Sequence, residues 1–197
     1  DGRDILSNIC LEVRKGEFVA ITGPNGGGKT TLLRIILGLQ KPSAGRIERR
    51  HDSVSGYMPQ KTTADSHFPV TVEEVVESAL LACSMTRNDK NRRLEETLAM
   101  LGIQDLRRRP IGHLSGGQLQ RTLIARALVR KPDILLLDEP MSYLDRHAER
   151  ELAEILGRLK DEDTTILMVT HSPAAGASIT DRRIYIDRPS ESASGDF

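Results

Sequence analysis

The chain has 197 residues, 38% of them hydrophobic, enough for one substantial core with room for an inserted subdomain. Lys plus Arg and Asp plus Glu each number 28, so no global basic field exists to draw in nucleic acid. Aromatics are 3% and Trp is absent, which removes support for a base-stacking single-strand binder.

In chain order, residues 5–13 alternate loosely as a strand, and Gly16 separates them from Glu17-Phe18-Val19-Ala20-Ile21-Thr22, an apolar run of strand length. Next comes Gly23-Pro24-Asn25-Gly26-Gly27-Gly28-Lys29-Thr30, which fits the phosphate-loop pattern G-x-x-x-x-G-K-[ST] without a mismatch. Glycines lacking Cβ let consecutive backbone N–H groups curl round an anion. Lys29 then reaches the outer phosphates, and the Thr30 hydroxyl is placed to ligate magnesium. Thr31-Leu32-Leu33-Arg34-Ile35-Ile36-Leu37 reads as a helix ended by Gly38, its positive N-terminal end aimed at the phosphates. A plain Gly-rich turn explains such a loop but not both of its flanks. The sequence therefore predicts a nucleotide site.

Lys41-Pro42-Ser43-Ala44-Gly45 is a turn, followed by strand-like Arg46-Ile47-Glu48 and Val54-Ser55-Gly56-Tyr57-Met58. Thr71-Val72-Glu73-Glu74 fits a capping box, with Val72, Val75, Val76, Ala79 and Leu80 at helical spacing. A further helix carries Leu94, Leu98 and Leu101, with Gly102 as its stop. Residues 61–130 thus read as a mainly helical insert. The basic clusters Arg92-Arg93 and Arg107-Arg108-Arg109 read as solvated faces. The sheet resumes with Ile134-Leu135-Leu136-Leu137, a continuous apolar run expected of a parallel strand buried on both faces. A helix from Asp145 places Ala148, Leu152, Ile155, Leu156 and Leu159 on one face, and Thr165-Ile166-Leu167-Met168-Val169 is a strand. Arg183-Ile184-Tyr185-Ile186-Asp187 is also strand-like, ahead of a polar tail. This order argues an α/β fold with a parallel sheet.

Chemistry gathers at three further places. Asp138-Glu139-Pro140 ends the buried strand, where α/β sheets bind ligands; Asp138 would hold magnesium and Glu139 would orient and deprotonate an attacking water. A pair of acids capping the next helix is the plainer alternative, and the phosphate loop weighs against it. His171 follows a strand end that would aim it at the γ-phosphate as a donor. Ser115 and Gln118 in Leu114-Ser115-Gly116-Gly117-Gln118 form a capping box, and the two glycines expose the first N–H groups of a second anion-binding helix start. One chain thus carries two phosphate-seeking ends but one full loop, so the second end would serve a nucleotide held by another copy. His51, His67, His113 and His147 show no metal-ligand spacing and are read as structural. Cys10 and Cys83 show no CxxC or Cys/His spacing and fit buried thiols in a reducing compartment. No apolar stretch approaches the ~18–20 residues of a membrane span. No signal-like segment follows Asp1, so a soluble cytoplasmic protein trimmed at its N-terminus is expected.

GPNGGGKTT at 23–31, LSGGQLQR at 114–121, ILLLDEP at 134–140, SYLD at 142–145 and His171 together resemble the nucleotide-binding subunit of an ABC transporter. They match its Walker A, signature, Walker B, D-loop and switch-histidine motifs in order and spacing, and Gln60 stands at the Q-loop position. The resemblance implies a single ATPase domain over 1–197. It comprises a P-loop NTPase core (1–60 and 131–190) with a parallel sheet and an N-terminal antiparallel β part, an inserted helical subdomain (61–130) and a tail (191–197). It also implies ATP and Mg2+ as cofactors, two subunits paired head-to-tail around two ATP molecules, and permease subunits at the cytoplasmic face of a membrane. Asn25, Gly26, Gly27, Gly28, Lys29, Thr30, Thr31 and Gln60 would then hold the nucleotide from one copy, and Ser115, Gly116, Gly117, Gln118 and Asp145 from the other. Thr30, Gln60 and Asp138 would serve the metal, while Glu139, His171 and Lys29 would be catalytic.

GYMPQ, Phe68-Pro69-Val70-Thr71-Val72 and Val75-Val76 are similar to the ATPases of zinc and manganese importers. The family's adenine-stacking aromatic has no counterpart before Phe18, Tyr143 replaces a small D-loop residue, and a regulatory C-terminal extension is not expected within this sequence, which stops soon after the strand-like 183–187. Two other readings exist: a soluble ABC ATPase acting on nucleic acid or ribosomes, and a non-hydrolysing module. Intact Glu139 and His171 weigh against the latter.

Overall fold

The computed structural model describes residues 5–50, 52–60, 69–171 and 176–187. His51, His67, Phe68 and the polar tail lie outside the described residues. Strands β1 (Phe18–Thr22), β2 (Ser55–Met58), β3 (Ile134–Asp138), β4 (Thr165–Val169) and β5 (Arg182–Tyr185) form a sheet in the order β2-β3-β4-β1-β5. Every pairing in it is parallel, with Tyr57 opposite Leu136, Leu136 opposite Leu167, and Ala20 between Met168 and Arg183.

The strand alternation sorts the core into two layers. Val19, Ile21, Leu136, Leu167 and Val169 face one side, where they meet Leu32 and Leu33 of helix α1 (Lys29–Ile36). Phe18, Leu135, Leu137, Ile166 and Met168 face the other. There they meet helices α2 (Val72–Glu77), α3 (Arg87–Met100), α4 (Gly116–Leu128) and α5 (Arg146–Asp161). Burying each such side chain contributes about 1.5–3 kcal/mol, so the two-faced sheet decides the layering more than helix propensity does. The close fit of sheet to helix shows at Gly56 of β2, where a Cβ would lie 2.3 Å from the Ala127 carbonyl oxygen of α4.

The expected capping box at Thr71 forms: the Glu74 N–H donates to the Thr71 hydroxyl at 3.3 Å and the Thr71 N–H to the Glu74 carboxylate at 2.8 Å. The helix is shorter than its apolar spacing predicts, giving way to a 3-10 turn at Ser78–Leu80 where the Ser78 hydroxyl donates to the Val75 carbonyl. Arg107 is not the solvated cation expected. Its guanidinium donates to Glu73 (2.6 Å), Glu95 (3.0 Å) and Asn91 (2.6 Å), tying α2 to α3.

Two expectations about the N-terminal region are corrected. No antiparallel β part forms among the described residues: 5–13 and 46–48 make no ladder. Leu6, Leu11 and Val13 lean on the α1-side core through their side chains alone, and Ile47, 39% exposed between two charged residues, has no apolar face to bury. Cys10, expected to be buried, is exposed in this unpaired segment. Among the described residues no helix is long and apolar enough to cross a membrane.

Candidate active site

β1 delivers the chain into the phosphate loop at Gly23, whose φ of 145° and crowded α-carbon admit no side chain: a Cβ would lie 2.0 Å from the Ile186 carbonyl oxygen. The loop is closed by the Gly27 N–H donating to the Pro24 carbonyl at 3.1 Å. Gly28 turns left-handed at φ 86°, with Leu6 packed so that a Cβ would stand 2.6 Å from its Cδ2. Lys29, 7% exposed, arches over the loop and donates to the carbonyls of Gly23 (2.9 Å) and Pro24 (2.8 Å).

Strand alternation sends Asp138 to the α1 side of the sheet, where its Oδ2 accepts the Thr30 hydroxyl at 2.6 Å. Asp138 is 1% exposed, and burial pushes its carboxyl above the usual range against the opposing pull of the Thr30 hydrogen bond and the nearby Lys29 charge. Its Oδ1 is buried with no hydrogen-bond partner. A buried, unpartnered carboxylate oxygen beside a hydroxyl is a hard oxygen donor set, and it fits magnesium.

Glu139 leaves the strand in the left-handed region, φ 58°, and its N–H donates to the Val169 carbonyl at 3.0 Å. Its carboxylate Oε1 lies 3.0 Å from the His171 Nε2, just past the end of β4. Burial raises the Glu139 carboxyl, and the His171 imidazole opposes that rise. Asn25, Gly26, Gly27, Gly28, Lys29, Thr30, Thr31 and Gln60 line one cleft with Asp138, Glu139 and His171, of about 280 Å³. A triphosphate placed there would meet a cation, backbone donors, a hydroxyl–carboxylate pair and a second carboxylate beside an imidazole.

The remaining candidates lie elsewhere. Ser115, Gly116, Gly117, Gln118 and Asp145 line a separate groove of about 700 Å³, together with Tyr143 and Leu144. The capping box forms, the Gln118 N–H donating to Ser115 Oγ at 3.3 Å and the Ser115 N–H to Gln118 Oε1 at 3.0 Å. Asp145 caps α5, its Oδ1 accepting the N–H groups of His147 and Ala148, each at 2.9 Å, which holds its carboxyl low. Both glycines face the 142–145 loop at ordinary van der Waals distance. A Cβ on Gly116 would lie 3.5 Å from Tyr143 Cβ, and one on Gly117 would lie 3.4 Å from Leu144 Cδ2, so the 142–145 loop rests on the helix start.

Sequence reasoning passed over Gln120 and Ser142. The Gln120 Nε2 donates to the Glu139 carbonyl at 2.9 Å, and that oxygen also accepts the Ser142 hydroxyl at 3.0 Å. A signal existed: Gln120 precedes Ile124 by four residues and Ala127 by seven, a polar residue on the buried stripe of α4.

A family profile described as ABC transporter matches residues 6–142. The chain belongs to the ABC transporter family. The zinc import ATP-binding protein ZnuC of Pseudomonas aeruginosa is 38% identical over 189 residues, 95% of this chain and 68% of that protein. The protein of the same name from Pseudomonas savastanoi pv. phaseolicola is 40% identical over 188 residues, with coverage of 95% and 68%. A dimeric bacterial ABC transporter cassette superposes with a TM-score of 0.81 at 31% identity, covering 93% of this chain and 86% of that one. This ABC cassette has the P-loop NTPase fold, and its enzymatic activity is ATP hydrolysis.

Proposed function

We propose that this cassette is the motor subunit of a metal-ion importer, most simply a zinc importer, acting at the cytoplasmic face of the membrane against permease subunits. The likeness to zinc import ATP-binding proteins supports the cargo. The observation that carries the chemistry is the meeting in one cleft of the Thr30–Asp138 pair, with its unpartnered carboxylate oxygen, and the Glu139–His171 pair.

In this reading Asn25, Gly26, Gly27, Gly28 and Thr31 cradle the phosphates, and Lys29 exchanges its loop carbonyls for their outer oxygens. Thr30 and Asp138 hold magnesium with Gln60 beside them. When bound, the ion neutralises charge that builds between the outer phosphates. Glu139 takes the proton of the attacking water, its basicity raised by burial, and His171 orients it and donates toward the γ-phosphate. The groove of Ser115, Gly116, Gly117, Gln118 and Asp145 receives the nucleotide of a second copy, so two subunits pair head-to-tail. Residues 1–60 and 131–190 act as the catalytic core and 61–130 as the helical part that passes its motion to the permease.

The deciding experiment is a pull-down from native membranes with this subunit as bait, paired with cellular zinc measured after its deletion. The expected result is a polytopic membrane partner and a loss of zinc accumulation. Recovery of soluble or nucleic-acid partners alone, with zinc unchanged, would refute the importer assignment.

A further inference from the structure

We propose that Gln120 is the positioning residue of Glu139, tying the start of the signature helix α4 to the backbone of the general base. The inference rests on the assignment of Glu139 as base. Glu139 occupies the left-handed region at φ 58°, a conformation that a side-chain-bearing residue holds only when its surroundings impose it. Two sets of hydrogen bonds impose it here. Its N–H is fixed to Val169 of β4 at 3.0 Å. Its carbonyl accepts the Gln120 amide at 2.9 Å, the Ser142 hydroxyl at 3.0 Å and the Ser142 N–H at 3.3 Å.

Gln120 is 3% exposed and its Oε1 is buried with no partner. That orphan acceptor is a liability to the fold, since an apolar side chain of equal length would leave nothing unsatisfied there. The stability of α4 gives no reason for an amide at this position, whereas the Glu139 carbonyl does. Gln120 also lies five residues from Ser115 on one rigid helix, so a displacement of the Ser115–Gly116 helix start reaches the base through a single hydrogen bond. The helix start that meets the partner's nucleotide and the base that cleaves this subunit's own are thereby mechanically joined.

The test compares steady-state ATP hydrolysis and thermal melting of the full chain as wild type, Gln120→Met, Gln120→Leu and Glu139→Gln. For both Gln120 variants kcat is expected to fall about tenfold, with half-saturating ATP changed less than about twofold, as when an interaction that matters to the transition state is lost. Their melting temperature is expected to hold or rise, because the orphan oxygen is gone. Unchanged kcat, or a loss of activity matched by a loss of thermal stability in both variants, overturns the proposal. Wild-type turnover in Glu139→Gln would instead overturn the base assignment on which it rests.

Discussion

At the scale of single residues the cleft is built on contacts that tolerate no added atom. Gly23→Ala would drive a Cβ to within 2.0 Å of the Ile186 carbonyl oxygen. The oxygen is backbone and cannot swing away, so a loss of more than about 2 kcal/mol is expected, read as a lower melting temperature with weakened nucleotide binding. Glu139→Gln removes the proposed base while keeping its shape. Phosphate release should drop by about 10²–10⁴, while equilibrium binding of a fluorescent ATP analogue persists. Both sets of residues are legible in the sequence because their chemistry is local: the loop is one unbroken pattern, and Asp138 and Glu139 simply end an apolar strand. Gln120 is not legible in that way. It acts through the Glu139 carbonyl on another element, and no spacing rule announces a partner that only folding brings near, whereas Ser142 reaches the same carbonyl locally from three residues on.

At the scale of elements one carboxylate ties the start of the edge strand β5 to both β1 and α5, beside the backbone ladder that β5 makes with β1. Asp181 accepts the Phe18 N–H of β1 at 2.8 Å and pairs with Lys160 of α5. The Lys160 ammonium first, and that N–H second, hold its carboxyl below the usual range. A carboxyl whose folded pKa is depressed stabilises the fold above its unfolded pKa, and that contribution is lost as pH falls through the folded value. Asp181→Asn should therefore melt lower than wild type at neutral pH, with the gap closing in acid. A gap that stays constant with pH would contradict this linkage. Most helices and parallel strands were legible because period and caps agree, as at Thr71 and Ser115. The N-terminal strands were misread because loose alternation over 5–13 and 46–48 says nothing of whether a pairing partner arrives, and the order β2-β3-β4-β1-β5 is set by long-range packing.

At the scale of the whole molecule, the phosphate cleft and the Ser115 groove share no lining residue. In the proposed pairing two copies bring both to one nucleotide, and Glu139→Gln with saturating ATP and magnesium should then run as a dimer by light scattering, reverting to monomer when ATP is removed. Monomer under both conditions would count against the head-to-tail pairing. The strand that launches the phosphate loop has its own timing. β1 is early in the chain, yet its two sheet neighbours are β4, at 165–169, and β5, at 182–185, and Gly23 rests on Ile186 beyond them. During synthesis every motif from Gly23 to His171 leaves the ribosome before the strand that braces the loop. The ordering cost of such distant pairings is met only once the last of them closes. A nascent chain halted after Thr180 should thus display the full set of signatures and retain no immobilised ATP analogue. The subunit would stay silent toward cellular ATP until residues 182–186 have emerged.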